Sequence, residues 1–359
     1  MDPVRAPRTP RATLVALALA LATRTTLVGA SRAAPDDRDP GVIHAPHAGG
    51  VEGRYATTDD GVRIWYEVEG DRPGPPIVLI AGGPGSPHNG FHITHGRLRE
   101  LARVVYLDNR GRGRSAPGTG ARPYAIEHDV ADVEAVRRAI GAESIIVYGR
   151  SYGGMVAQAY VLAHPERVRA LILSNTLDGA RAWQVENIAA THAFLEHQWP
   201  ERWERIRQLH DEGFVSSQDT LAVLFGPLRE LYSYDPANDS TFGSRMREAR
   251  EPGVPGHAAA VYKAMVGRDP EWTIDGTLAG IEFGPRLAAV RAPTLVLVGR
   301  YDRLCPPSSA ARIAAAVPGA RLVVFERSGH RPELEEADRW FAVMKRFLDE
   351  VSARAPARP

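Results

Sequence analysis

The sequence predicts an α/β fold in which a mostly parallel sheet is flanked by helices and carries an inserted helical cap. Apolar runs at Ile77–Ile80, Val104–Leu107, Ile145–Val147, Leu171–Leu173, Leu295–Val298 and Leu322–Phe325 read as strands buried on both faces. Between several of them lie apolar residues at helical spacing, such as Val130, Val133, Val136 and Ile140, and alternating strand and helix implies parallel pairing. The alternation stops between about Leu177 and Phe283, where aromatic-rich helical segments replace strands.

Taken in order, the chain opens with Arg5, Arg8 and Arg11, followed by the 11-residue apolar run Ala12–Ala22 and a small-x-small site at Val28-Gly29-Ala30. Residues 1–34 therefore read as a secretory signal peptide, which predicts a secreted or periplasmic protein. The run falls short of the roughly 20 residues that span a bilayer, so no stable membrane insertion is expected. Residues 35–54, rich in Pro, Asp, Gly and His without periodicity, read as a linker. Residues 55–177 and 284–355 form the sheet domain, starting with Val62, Ile64, Tyr66 and Val68 in the strict alternation of a strand with one wet face. Residues 178–283 form the cap, in which Trp199, Trp203, Ile206 and Leu209 are spaced for a helix around Pro200, a residue suited to a first turn. A cap over the carboxyl ends of the strands can cover a site and select its substrates.

Composition narrows the function classes. Of 359 residues, 44 are Lys or Arg and 43 Asp or Glu, a formal net charge of +1, so no global field favours nucleic acid. The lone cysteine, Cys305, excludes an intramolecular disulfide and multi-cysteine metal sites, and reads as a small buried thiol.

Chemistry concentrates at strand ends. Gly149-Arg150-Ser151-Tyr152-Gly153 follows an apolar strand and precedes Met155, Val156, Ala159 and Tyr160 at helical spacing. A serine in so sharp a strand-to-helix turn is a candidate nucleophile, with a glycine on either side because a side chain there would collide. A serine hydroxyl needs a base, and the base an orienting group. Asp302 and His330 follow the strands Leu295–Val298 and Leu322–Phe325 in the chain order Ser, Asp, His. Ala81-Gly82-Gly83-Pro84-Gly85 offers unobstructed backbone N–H groups after another strand, so Gly83 and Tyr152 are the expected oxyanion donors. Neither the spacing nor the Lys-Ser/Thr of a phosphate-binding loop is present there. His88, His92 and His95 follow this loop at spacings open to a metal, but no carboxylate nearby in sequence completes a site. They read as solvated or substrate-facing residues, and neither metal nor cofactor is expected.

With Gly82-Gly83-Pro84-Gly85, Asp108-Asn109-Arg110-Gly111-Arg112-Gly113-Arg114-Ser115, the serine turn, Gly299-Arg300-Tyr301-Asp302 and Ser328-Gly329-His330, the chain resembles the proline iminopeptidase branch of the α/β-hydrolases from about Gly61 to Leu348. The resemblance implies the α/β-hydrolase fold and a serine hydrolase that releases an amino-terminal residue from a small or short peptide substrate through an acyl-enzyme. It also implies that Glu271, in Glu271-Trp272-Thr273-Ile274-Asp275-Gly276-Thr277, grips the substrate's free α-amino group. The sequence departs from that family at Ala81, where a histidine is usual, and at Arg303, where close aminopeptidase relatives often carry a glutamate. A cation at 303 opposes an ammonium and favours a carboxylate or neutral acyl group. An ester or lactone hydrolase with the same triad is the alternative, and a binding protein on this fold is the reading from another class.

Overall fold

The computed structural model describes residues 53–225, 229–248 and 254–353. The expected signal peptide and all but the last two residues of the expected linker lie outside the described residues. Eight strands form one sheet: β1 (Arg54–Thr57), β2 (Arg63–Glu69), β3 (Ile77–Ile80), β4 (Val104–Leu107), β5 (Ile145–Arg150), β6 (Val168–Ser174), β7 (Thr294–Gly299) and β8 (Arg321–Phe325). Their spatial order is β1-β2-β4-β3-β5-β6-β7-β8. Pairing is antiparallel at β1/β2 and β2/β4 and parallel everywhere else.

The apolar runs lie where both faces are covered. Every residue of β3, β4 and β7 is buried, whereas β8, at the sheet edge, leaves Leu322 36% exposed, so its run is buried on one side only. Helices α1 (Gly90–His95), α2 (Ile126–Ala139) and α3 (Tyr152–Ala163) follow β3, β4 and β5. The Val130, Val133 and Val136 stripe of α2 is buried, as its period requires.

Strand β2 departs from expectation. Its Ile64 and Tyr66 enter the main core, but the face expected to be wet carries Trp65 and Glu67, exposed only 2% and 1%. The chain leaving β3 folds back as α1 across that face and shields it, a covering that alternation along one strand cannot reveal.

Between β6 and β7 the chain forms α4 (Ala180–Ala182), a π-helical turn at Trp183–Ile188, α5 (Ala189–Gln198), α6 (Pro200–Asp211), α7 (Asp219–Phe225), α8 (Arg229–Tyr232), α9 (Pro236–Glu248) and α10 (Ala259–Val266). Pro200 opens α6, where its missing N–H costs nothing, and Ile206 and Leu209 pack with Leu195, Leu221 and Leu231 into a separate small core. After β7 come α11 (Pro307–Ala316), α12 (Pro332–Glu335) and α13 (Ala337–Ala353), the last burying Trp340, Met344, Phe347, Leu348 and Val351. Among the described residues, no helix is long and apolar enough to cross a membrane.

The turn after β4 is built on two buried ion pairs. Arg110, fully buried, donates to Asp132 on α2 from Nε and Nη2 at 2.9 and 2.7 Å. Arg112 meets Asp129 through both terminal nitrogens at 2.6 and 2.8 Å. Planar guanidinium forks match carboxylates in this way, so buried charge is paired as it must be.

Candidate active site

Ser151 joins β5 to α3 with φ 55° and ψ −127°, a conformation open to glycine and strained for serine. Close backbone packing imposes the turn. A Cβ at Gly149 would lie 2.2 Å from the Gly153 carbonyl oxygen, and one at Gly153 would lie 2.1 Å from that of Ile80. Neither position can hold a side chain, which is the physical content of the Gly-x-Ser-x-Gly pattern. The β3 loop abuts the serine: a Cβ on Gly82 would sit 2.9 Å from Ser151 Cβ and 3.4 Å from its Oγ.

Asp302 and His330 come together. The His330 Nδ1 pairs with Asp302 Oδ2 at 2.9 Å, both residues being at most 4% exposed. Asp302 is held by three further donors: Asn175 Nδ2 reaches Oδ2 at 2.7 Å, and the Leu304 and Cys305 N–H groups reach Oδ1 at 2.9 Å each. With a carboxylate on Nδ1, the imidazole keeps that proton and presents Nε2 as the basic nitrogen. The His330 loop is fixed in turn: its N–H donates to the Tyr232 carbonyl at 2.7 Å, and the Gly329 N–H to Glu335 on α12 at 2.6 Å.

Cys305 completes the floor. Burial and the neighbouring Asp302 charge push its thiol well above the usual range, and Ser151 lies within hydrogen-bond reach of it. The Cys305 sulfur and the facing atoms of Asp302 and His330 all lie within 4.8 Å of one another. Ser151, Asp302 and His330 are thus gathered beside one thiol at the carboxyl ends of β5, β7 and β8. Asn175 escaped the sequence reading; its φ of 49° just past β6 is a local conformation that asparagine tolerates, but nothing in sequence ties it to Asp302.

The two expected oxyanion elements are tied by one side chain. The Tyr152 hydroxyl donates to Asp129 at 2.6 Å; Arg112 grips the same carboxylate and donates from Nε to the Pro84 carbonyl at 2.7 Å. Arg112 therefore sets the Gly83-Pro84 loop against the Tyr152 turn. Tyr152→Phe removes the hydroxyl and leaves the backbone N–H, so kcat should fall about tenfold with KM nearly unchanged, less than the 10²–10³ typical of deleting a donor outright. Steady-state kinetics beside a melting curve checks this, because a purely structural tyrosine would lower Tm alone.

Glu271 lies in the cap, partly buried, its N–H donating to Ser216 Oγ at 3.1 Å and its carbonyl accepting from His192 Nε2 at 2.6 Å. Burial and the Asp269 charge push its carboxyl up to about 7. Its charge reaches the Tyr262 phenol, which also feels Tyr232, and the Tyr232 ring stands 5.9 Å edge-on from His330. Arg303 does not project as an isolated cation: its guanidinium lies over the Phe194 ring of α5 at 5.3 Å.

The histidines after the glycine loop are neither solvated nor substrate-facing. His88, His92 and His95 are 1%, 4% and 0% exposed, the first just before α1 and the other two on its buried face. His95 pairs with the Tyr148 hydroxyl at 2.8 Å, while His88 and His92 meet Glu67 of β2 and His88 also meets Asp108, just past β4. Those carboxylates are remote in sequence, so inspecting only nearby residues missed them.

Residues 75–337 match the model of the alpha/beta hydrolase fold. A proline iminopeptidase of Lactobacillus helveticus is 30% identical over 301 residues, covering 81% of this chain and 95% of its own. One from Saccharolobus solfataricus is 29% identical over 307 residues, covering 81% and 90%. The crystal structure of a proline iminopeptidase from Mycobacterium smegmatis superposes with a TM-score of 0.68 at 23% identity, covering 84% of this chain and 98% of that one. By that family match and by its identity to the iminopeptidases, this chain belongs to the α/β-hydrolase family, in its proline iminopeptidase-like branch.

Proposed function

We propose that the protein is a serine hydrolase that cleaves an amide or peptide bond after an amino-terminal residue. The observation that carries this reading is the buried Asp302–His330 pair beside a serine held at φ 55°. His330 Nε2 takes the Ser151 proton as Oγ attacks the carbonyl carbon, and the N–H groups of Gly83 and Tyr152 receive the developing oxyanion. His330 then returns the proton to the departing amine. Water, activated by the same imidazole, attacks the acyl-enzyme and frees the amino acid.

Glu271 supplies selectivity. A blocked amino terminus leaves its carboxylate unpaired, whereas a free α-ammonium pairs with it. Matched aminoacyl anilides with free and acetylated amino termini test this directly. The free form should be preferred, and Glu271→Gln should cut that preference about ten- to hundredfold, the lower end reflecting partial exposure. The sign of the pH dependence follows from the two groups. Glu271 ionises above about 7 and the substrate amine stays protonated below about 8, so the preference should peak between and fade on both sides. A flat profile would remove Glu271 from amine recognition. Turnover of simple acyl esters without preference for a free amine would favour the carboxylic ester or lactone reading.

A further inference from the structure

We propose that Glu67, His88 and His92 form a binding site for a divalent metal ion of the zinc type, bracing β2 against α1 behind the oxyanion loop. The facing atoms of the three residues, a carboxylate oxygen and two imidazole nitrogens, lie within 4.8 Å of one another, and all three residues are at most 4% exposed.

Strand geometry and helix spacing create the cluster. The period of two places Trp65, Glu67 and Glu69 on the face of β2 that α1 covers, while His88 and His92, four apart, enter from above that face. His88 Nε2 stands 3.8 Å from Glu67 Oε1, and His92 Nε2 contacts the same oxygen. Around a tetrahedral ion with bonds of about 2.0–2.1 Å, ligand atoms stand roughly 3.3 Å apart, so small side-chain shifts suffice to enclose one.

The outer nitrogens are already anchored as metal-ligating histidines require. His88 Nδ1 pairs with Asp108 Oδ1 at 2.9 Å, which also accepts the His88 N–H at 2.8 Å, and His92 Nδ1 stands 3.5 Å from Glu69 Oε1. A carboxylate behind each imidazole orients it for a metal, which must displace the proton that Glu67 and Glu69 hold on His92 up to about 9. The His88 imidazole faces a Glu67 carboxylate oxygen across 3.8 Å. Its Nε2 has no hydrogen-bond partner, an arrangement that a cation between the two resolves. Three carboxylates, those of Glu67, Glu69 and Asp108, surround the two imidazoles, with Arg99 acting on Glu69 from one side. Imidazole and carboxylate donors suit zinc and its neighbours better than calcium or magnesium. His92 also lines a cavity of about 510 Å³ bordered by α1, α9 and α12.

A second cluster, Asp302, Cys305 and His330, competes for soft metals and is the control. The experiment is a titration of the chelator-stripped full-length protein with cobalt(II), read by visible absorption and by metal content after gel filtration. The proposal expects one cobalt per chain, with d–d bands of low coordination number, no thiolate-to-cobalt charge transfer, displacement by zinc, and a Tm that rises with zinc. Cys305→Ser should keep this signal, and Glu67→Gln and His88→Gln should lose it while retaining Ser151-dependent turnover. No bound cobalt in the wild-type protein, a thiolate charge-transfer band as the sole signal, or a signal that survives Glu67→Gln would each overturn the site. Should the Glu67 and His88 variants fail to fold, the wild-type spectrum and the Cys305→Ser titration decide alone.

Discussion

Ser151→Ala should lower kcat by about 10⁶ while leaving the fold intact, because without the hydroxyl no acyl-enzyme forms and the remaining triad members have nothing to activate. Substrate affinity should change little, since the cap and Glu271 are untouched. The strain at this position supplies a second readout. Serine pays for φ 55° and ψ −127° in backbone energy that glycine avoids, so Ser151→Gly should be equally inactive yet more stable by about 1–2 kcal/mol. An anilide assay with background subtraction measures the first effect, and a denaturant titration the second. Activity persisting above a thousandth of wild type in both variants would move the nucleophile elsewhere.

Asp302→Asn should lower kcat by about 10⁴ at neutral pH with KM nearly unchanged. Hydrogen bonding decides the outcome. The Leu304 and Cys305 N–H groups both point at Oδ1, so the amide oxygen of an asparagine stays there and its NH₂ replaces Oδ2. That NH₂ then faces two donors, the amide of Asn175 and the Nδ1–H of His330. The imidazole must move its proton to Nε2 to accept from it, and the base that Ser151 needs is lost. Activity should partly recover at high pH, where hydroxide can deprotonate the serine without the imidazole. A rate equal to wild type at neutral pH would mean that Asp302 does not orient His330.

These expectations rest on features of unequal legibility. The strands other than β1, the serine turn and the order Ser151, Asp302, His330 were readable because each is encoded locally: apolar runs mark buried strands, and Gly149 and Gly153 mark a turn that excludes side chains. The antiparallel β1 was not readable, because Arg54–Thr57 is short and half polar and gains its order from pairing with β2. The clamp of Asn175 on Asp302 joins residues 127 apart in sequence, and the Arg112–Asp129–Tyr152 tie crosses three segments.

The histidines show the same boundary from the other side. In the sequence, His88, His92 and His95 follow a glycine-rich loop and read as exposed. Folding laid α1 over β2, buried all three, and brought Glu67 and Asp108 against two of them. The sequence by itself marked the buried strands of the sheet and the turn that carries the serine, since backbone sterics and hydrophobic period act over a few neighbours. Only the tertiary structure decided which charges meet, because pairing buried polar groups depends on distances that chain separation does not encode.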